Sequence, residues 1–279
     1  MNTSVLSRAI PGTKYGQWAV VTGASDGIGK AFAELLAQSG FNLVIAARRE
    51  DVLANLARHL SGLHGIAVRP VACDLGKPEG VALLEEVTEA LDAGLLVAAA
   101  GFGTSGPFLR SDLTTELGMI DVNCRAVAAL AHAFGNRFAR RGGGGIVLLS
   151  SLVAFQGVPC AANYAATKAY VQTFAEGLRR ELADAGVDVL AVAPGPVRSG
   201  FGQRKYADGH GPDTRRGRPR GAASAREPRD GATRVPGAVS GALTQAVAAL
   251  GPRPCHGARH ERHDETPASR GWFMRNALQ

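Results

Sequence analysis

The feature that most constrains the fold is a regular alternation, across residues 18–192, of short apolar runs with longer amphipathic stretches. The six apolar runs lie at residues 18–21, 43–45, 67–72, 95–99, 146–149 and 187–192. Strands that alternate with helices form parallel sheets, and strands of nearly continuous apolar sequence are buried on both faces. The sequence therefore predicts an α/β fold, a doubly wound parallel sheet with helices on both faces.

The net charge of +7 is confined to the C-terminal part of the 279 residues. Residues 1–200 contain 17 Lys+Arg and 17 Asp+Glu, whereas residues 201–279 contain 14 and 7. A basic, nucleic-acid-binding character is therefore excluded for the first 200 residues. We divide the chain into an N-terminal extension (1–14), a catalytic domain (15–202) and an atypical basic, Pro- and Arg-rich region (203–279) that we expect to be partly disordered.

The first apolar run leads directly into the sequence TGASDGIG at residues 22–29. Glycines in a strand-to-helix turn let a phosphate approach the backbone, and the N-terminus of the following helix attracts its charge. This pattern predicts a Rossmann-type dinucleotide site, with an ordinary glycine-rich turn as the alternative. The residues assigned to the site are Gly23, Ser25, Asp26, Gly27, Ile28 and Gly29.

The second apolar run is followed by Ala46-Ala47-Arg48-Arg49, and the two arginines stand where a site for NAD would offer a carboxylate to the ribose. A guanidinium suits the 2′-phosphate of NADP, so we predict NADP(H) as cofactor, with Arg48 as the main contact and Ser25 supporting it. The alternative is a solvated pair of cations facing Glu50 or Asp51.

Asp74-Leu75 follows the third apolar run. The Asp74 carboxylate can accept a hydrogen bond from the adenine amino group, which makes both residues candidates for the cofactor site. The equally weighted alternative is a turn or helix-capping role for Asp74.

Tyr164 and Lys168 are four residues apart, so on a helix they share one face. A cation about 4 Å from the phenol stabilises the phenolate by about 4 kcal/mol at an effective dielectric constant near 20, which makes the phenol a usable acid and base. Ser151 follows the fifth apolar run, whose carboxyl end opens on the predicted cofactor crevice. Asn123 is a polar residue within an apolar helical stretch and needs hydrogen-bond partners if it is buried.

These motifs together resemble the short-chain dehydrogenase/reductase family, of the NADP-preferring type. TGASDGIG matches the family's TGxxxGxG, and Asn123, Ser151, Tyr164 and Lys168 match its catalytic tetrad in order and context. Residues 194–199, PGPVRS, resemble PGxVxT, whereas AAAG at 98–101 departs from NNAG. Residues 15–44 are also similar to the 3-oxoacyl-CoA reductase and 17β-hydroxysteroid dehydrogenase branch.

The resemblance implies that Tyr164 gives a proton to the alkoxide formed when NADPH delivers hydride to a carbonyl carbon. Lys168 would lower the pKa of Tyr164 and hold the nicotinamide ribose, Ser151 would bond the carbonyl oxygen, and Asn123 would order a relay water. The loss of the Asn pair at 98–99 puts local rigidity in doubt more than activity. The resemblance adds to the cofactor site Ala100, Gly101, Tyr164, Lys168, Pro194, Gly195, Val197 and Ser199.

The predicted function is NADP(H)-dependent reduction of a ketone, aldehyde or 3-oxoacyl group to an alcohol, or the reverse. The alternative is a dinucleotide-binding regulatory or RNA-contacting protein with little turnover. We expect an apolar small-molecule substrate, a homodimer or homotetramer, a cytoplasmic location, and no metal, nucleic acid or transmembrane segment. Four scattered cysteines without a CxxC pair predict reduced, mostly buried thiols. Candidate pocket walls, which plain core packing explains equally well, are Phe102, Phe155, Cys160 and Phe201.

The basic region has three interpretations: a disordered extension, a contact for an anionic surface or nucleic acid, or partial translation out of frame, since the periodicity ends abruptly near residue 201. Residues 232–236 could form a seventh strand and residues 238–250 an amphipathic helix. Cys255, His256, His260 and His263 lack the spacing of a metal site.

Overall fold

The computed structural model describes residues 14–195 and the backbone of residues 233–234. Seven parallel strands form one sheet in the order β3-β2-β1-β4-β5-β6-β7. The strands are β1 (Trp18–Thr22), β2 (Asn42–Ala47), β3 (Val68–Ala72), β4 (Ala93–Ala98), β5 (Gly144–Leu149), β6 (Val187–Val192) and β7 (Thr233–Arg234). The helices are α1 (Gly27–Gln38), α2 (Glu50–His64), α3 (Pro78–Thr88), α4 (Leu113–Ile120), α5 (Ala126–Arg141) and α6 (Ala162–Glu181). The predicted doubly wound α/β class is confirmed.

Helices cover the sheet on both faces, and neighbouring residues of one strand belong to opposite layers of the core. Val21 of β1 packs in one layer with Phe32 of α1 and Leu53 of α2. Val20 belongs to the other layer, together with Phe134 of α5. All five of these side chains are essentially inaccessible to solvent. This two-sided burial explains why the strands read as continuous apolar runs rather than as alternating ones.

The central strand β1 lies between β2 and β4, so the strand order reverses at this point. A crevice forms at the carboxyl ends of the strands where the order reverses, and open α/β sheets bind their ligands there. The turn after β1 therefore faces the segment after β4, and both lie next to the residues that follow β5.

The apolar helical stretch that contains Asn123 is interrupted by one wide turn. α4 and α5 are joined by a π-helical turn, Asp121–Arg125, in which Asn123 lies. The combined helix Leu113–Arg141 is long and apolar enough to cross a membrane by length and composition, with 39% of its most apolar window buried. That criterion is weak, because core helices also meet it, and here Phe134 and Phe138 pack in the core.

The predicted strand near residues 232–236 is confirmed: β7 pairs in parallel with β6, Ala191 with Thr233 and Val192 with Arg234. The predicted helix at 238–250 and the Cys255–His263 cluster lie outside the described residues, so the three interpretations of the basic region remain predictions. The described cysteines are free thiols: Cys73 is buried and Cys124 half-buried. Cys160 is exposed, which the prediction of mostly buried thiols did not anticipate.

Candidate active site

Tyr164 and Lys168 lie one turn apart in α6 and are both buried, with 9% and 6% of their surface exposed. The Lys168 ammonium lies 5.8 Å from the centroid of the Tyr164 ring. Its Nζ donates a 2.8 Å hydrogen bond to the carbonyl oxygen of Leu149, the last residue of β5. The spacing in the sequence thus produces the expected pair, and the end of β5 fixes its cation.

Ser151 meets the same pair from the segment that follows β5. Its side chain forms a hydrogen bond with the side chain of Tyr164. Its Oγ also accepts a 3.4 Å bond from the backbone N–H of Val153, in the short 3₁₀ helix Leu152–Phe155. The structure therefore brings Ser151, Tyr164 and Lys168 together at the carboxyl edge of the sheet.

The ionisation of this pair differs from the expectation. Burial raises the pKa of Tyr164 above its ordinary value, and the hydrogen bond from Ser151 only partly opposes this. Burial also lowers the pKa of Lys168 to about 8, while the nearby Cys124 acts in the opposite direction. The expected lowering of the Tyr164 pKa by Lys168 is not found: burial is the largest influence on the phenol, and the Lys168 ammonium donates to the Leu149 carbonyl oxygen.

Asn123 is 1% exposed, and its side chain is bonded within the protein. Its Nδ2 donates to the carbonyl oxygen of Phe102 at 2.9 Å and to Oγ1 of Thr167 at 3.0 Å. Its Oδ1 accepts a 3.1 Å bond from the Phe102 N–H. Both amide hydrogens are therefore committed, so a relay water would have to bond the Asn123 side-chain or backbone oxygen. Thr167, between the two α6 residues of the tetrad, was not singled out from the sequence.

Ala100 and Gly101 line the same crevice after β4. A Cβ added to Gly101 would lie 2.9 Å from Oδ1 of Asn123 and 3.6 Å from Nζ of Lys168. The Ala100 N–H donates a 3.0 Å bond to Oγ1 of Thr22, at the end of β1. This bond ties β1 to the segment after β4, at the place where the sequence lacks the family's Asn pair.

The glycine-rich turn has the shape of a phosphate cradle. Gly23 has φ +67° and a Cβ there would lie 2.8 Å from the Ala100 backbone, while a Cβ on Gly29 would lie 2.4 Å from the Gly23 carbonyl oxygen. Gly27 and Ile28 open α1, and the Asp26 side chain caps it by accepting a 2.7 Å bond from the Gly27 N–H. These close backbone approaches require glycine, and the tight turn places the N-terminus of α1 at the crevice, where a dinucleotide pyrophosphate fits.

Arg49, rather than Arg48, reaches the glycine-rich turn. Its Nη2 donates 3.0 Å hydrogen bonds to both the carbonyl oxygen and Oγ of Ser25. Among the ion pairs of the described residues, none joins either arginine to Glu50 or Asp51. The sequence analysis predicted Arg48 as the main contact. Nothing in the Arg48-Arg49 dipeptide indicates which of the two guanidinium groups points toward Ser25.

Asp74, which was weighed as either an adenine contact or a turn residue, stabilises a turn in the structure. Its Oδ1 accepts a 3.0 Å hydrogen bond from the Gly76 N–H. Leu75 is buried, and its carbonyl oxygen accepts a 3.2 Å bond from Arg125 in the π-helical turn. Contacts of either residue with adenine remain a prediction.

The segment after β6 also reaches the site. The Pro194 carbonyl oxygen accepts a bond from the Leu152 N–H at 3.2 Å, and a Cβ on Gly195 would lie 3.3 Å from the Leu152 side chain. Val197, Ser199 and Phe201 lie outside the described residues.

An apolar wall surrounds Tyr164. Phe102 packs against a cluster of Met119, Ala161 and Tyr164, as do Val153 and Val158. Of the other predicted wall residues, Phe155 is 45% exposed and Cys160 is also exposed. Met119 lies on α4, far in sequence from Tyr164, and no local pattern in the sequence marked it.

Comparison with known proteins assigns the fold and motifs to a family. The short chain dehydrogenase family model matches residues 17–209. The chain therefore belongs to the short-chain dehydrogenase/reductase family of oxidoreductases.

Two characterised relatives and one solved structure illustrate the match. The 7beta-hydroxysteroid dehydrogenase of Clostridium sardiniense is 35% identical over 182 residues, covering 65% of this chain and 70% of the relative. The very-long-chain 3-oxoacyl-CoA reductase of Neurospora crassa is 36% identical over 184 residues, covering 64% and 55%. A short-chain dehydrogenase from Sphingobium yanoikuyae, solved in complex with NADPH, has a TM-score of 0.65 and 35% identity, covering 67% and 74%.

The resemblance of residues 15–44 to 3-oxoacyl-CoA reductases is confirmed by these matches. The chain spans about half the length of the Neurospora relative, and the match ends near the point where the periodicity of the sequence ends.

Proposed function

We propose that this protein is an NADP(H)-dependent oxidoreductase that reduces the carbonyl group of an apolar small molecule to an alcohol, or catalyses the reverse reaction. The observation that carries the proposal is the buried group of Ser151, Tyr164 and Lys168 beside the glycine cradle. An acid, a hydroxyl donor and a cation lie together there, next to the N-terminus of α1, where a pyrophosphate would bind.

In this mechanism the chain holds and moves one proton. NADPH, when bound, supplies the hydride. Burial raises the pKa of Tyr164, so at neutral pH the phenol is protonated, as in an ordinary tyrosine, and this is the form that donates to a developing alkoxide. Because the Ser151 and Tyr164 side chains already bond each other, a carbonyl oxygen that enters between them can accept from both.

Lys168 supplies the positive charge beside the phenol. With a pKa of about 8 it is roughly 90% protonated at pH 7. Its cation stabilises negative charge left on Tyr164 after proton donation, and its bond to the Leu149 carbonyl sets its position. Asn123 contributes by bonding both Thr167 and Phe102, which fixes the distance between them. We also propose that an oxygen of Asn123 orders a relay water.

The cofactor preference follows from the two arginines at the end of β2. The Arg49 bonds to Ser25 bring a guanidinium to the edge of the cradle, and Arg48, exposed just before it at the end of β2, is available as a second cation. Two cations and a hydroxyl are suited to the 2′-phosphate that distinguishes NADP from NAD. The bound NADPH of the Sphingobium relative supports this choice.

The substrate class follows from the apolar wall around Tyr164. Phe102, Val153 and Val158, which are partly buried beside Tyr164, offer no charge or hydrogen-bonding side chain to a ligand. We therefore propose bulky apolar ketones and 3-oxoacyl thioesters as the first substrates to assay, in keeping with the names of the relatives.

A homodimer or homotetramer is supported by the exposed apolar side chains of α4 and α6. Leu113, Leu117 and Ile120 are 62%, 52% and 41% exposed on α4, and Tyr170 on α6 is 41% exposed. Exposed apolar side chains on the helices that follow β4 and β5 are typical of a protein interface.

The Tyr164→Phe variant tests the catalytic assignment. On the best carbonyl substrate of a panel of ketones, aldehydes and 3-oxoacyl thioesters, we expect kcat to fall at least about 100-fold, because the proton donor is lost. The dissociation constant for NADPH should stay within about twofold. Tyr170→Phe, on the same helix but exposed, is the matched control and should leave kcat unchanged. NADPH binding without turnover on any substrate would favour the regulatory or RNA-contacting alternative, and full activity of Tyr164→Phe would refute the assignment.

The pH dependence of reduction tests the role of Lys168. Because its pKa in the folded protein is lowered to about 8, the positive charge is complete below that pH and is lost as the pH rises through 8. We expect kcat for carbonyl reduction to decline above pH 8. In Lys168→Met, kcat should no longer decline above pH 8, and at pH 7 it should be about 100-fold lower than in the wild type. A wild-type kcat that stays level to pH 10, with the fold intact by circular dichroism, would contradict the role.

Separate Arg48→Asp and Arg49→Asp variants test the cofactor preference. Each removes a cation from the proposed phosphate site, so the ratio of kcat/KM for NADPH to that for NADH should fall about tenfold or more. Arg58→Asp, an equal change of charge on the exposed face of α2, should leave the ratio unchanged. A loss confined to Arg49→Asp would overturn the assignment of Arg48 as main contact, and unchanged ratios in both would overturn the preference for NADP(H).

Light scattering after size-exclusion chromatography tests the assembly. We expect a mass of two or four chains, and a monomer for Leu117→Glu, because a charge on the exposed face of α4 disfavours burial there. A monomeric mass for the unmodified protein would contradict the proposal.

A further inference from the structure

Glu116 is a buried carboxylate in a helix whose other face is exposed. It is 4% exposed, whereas its neighbour Leu117 is 52% exposed. A buried carboxylate is unfavourable unless other groups donate hydrogen bonds to it. The donor is Asn163, whose Nδ2 bonds Oε2 of Glu116 at 2.7 Å and its backbone carbonyl oxygen at 3.0 Å. One amide group thus donates both to the side chain and to the backbone of a residue 47 positions earlier.

Asn163 lies in the first turn of α6, immediately before Tyr164. This end of α6 has no side-chain cap: Ala161 occupies the capping position, and no acidic residue lies in the first turn. Uncapped helix ends fray unless tertiary contacts hold them. The bond from Asn163 to α4 supplies such a contact at the turn that carries the proposed acid.

A second amide fixes the same helix one turn further on. Asn123 donates to Thr167 Oγ1 at 3.0 Å, and Thr167 Oγ1 donates to the Tyr164 carbonyl oxygen at 2.8 Å. Tyr164 therefore lies between two anchored positions. Met119, one turn after Glu116 on α4, packs in one buried cluster with Tyr164.

We infer that Glu116 is a positioning residue for the reaction. Through Asn163 it fixes the first turn of α6 against α4 and so holds the Tyr164 hydroxyl at Ser151. This inference rests on the proposed function, because it assigns Glu116 a role through Tyr164. Displacement of a reacting group by about 1 Å lowers rates by up to about 100-fold, so the bond affects kcat rather than cofactor affinity.

The conservative and disruptive variants of the pair make different predictions. Glu116→Gln keeps an oxygen that accepts from Asn163, so kcat should stay within about threefold of wild type. Glu116→Ala loses the acceptor, and kcat should fall about tenfold or more with the dissociation constant of NADPH unchanged. Asn163→Asp brings two carboxylates together and should also lower kcat about tenfold. In the double variant Glu116→Gln with Asn163→Asp, the Gln amide can donate to the Asp, so kcat should recover at least threefold over Asn163→Asp.

Asp112→Ala separates positioning from general weakening of α4. Asp112 caps α4 through Thr115 and has no bond to α6 in the structure, so its loss destabilises the same helix. We expect a lowered melting temperature and a kcat within twofold of wild type.

The experiment measures kcat, KM, NADPH dissociation constant and melting temperature for all five variants beside Tyr164→Phe. The inference is overturned if Glu116→Ala keeps kcat within twofold, if Asp112→Ala lowers kcat as much as Glu116→Ala, or if the double variant does not recover. Turnover retained by Tyr164→Phe would instead refute the proposed function itself. Loss of turnover in Tyr164→Phe with an unaffected Glu116→Ala would refute only the positioning role.

Discussion

The Asn123 amide is the interaction on which the site depends. With two donated hydrogen bonds and one accepted, it joins the segment after β4, the π-helical turn and α6. These three parts of the chain carry Gly101, Asn123 and the Tyr164–Lys168 pair. Breaking the hydrogen bonds of a buried amide is costly, because each donor or acceptor left unsatisfied in the core lowers the stability of the fold by about 1–3 kcal/mol. The geometry of the acid therefore depends on one side chain that need not touch the substrate.

The parallel sheet supplies the second constraint, since it brings loops that are distant in sequence to one edge. The turn after β1, the segment after β4 and the residues after β5 meet there because their strands are neighbours in the sheet. The Leu149 carbonyl at the end of β5 then holds the Lys168 ammonium. Burial at this edge shifts the ionisation of the site: it raises the pKa of the Tyr164 phenol and lowers the pKa of Lys168 to about 8.

Most of the fold and the members of the site could be predicted from the sequence. The alternation of apolar runs with amphipathic stretches indicates where the strands lie, and residues 232–236 indicated even the short β7. Side-chain direction could not be predicted: Arg49 rather than Arg48 turns to Ser25, and Asp74 closes a turn. Nor could the ionisation of Tyr164, because it depends on how deeply packing buries the phenol. Glu116 and Asn163 carried no signal, since their bond joins helices 47 residues apart.

The π-helical turn at Asp121–Arg125 sets the rotation of one half of the long helix relative to the other. An α-helix turns by about 100° per residue, and this turn contains one residue more than an α-helical turn. If the same residues instead formed a continuous α-helix, the extra residue would rotate its two halves relative to each other by about that angle. Either Phe134 and Phe138 would leave the core, or Glu116 would face away from α6. The width of this turn is therefore as much a part of the site as the Asn123 side chain that it carries.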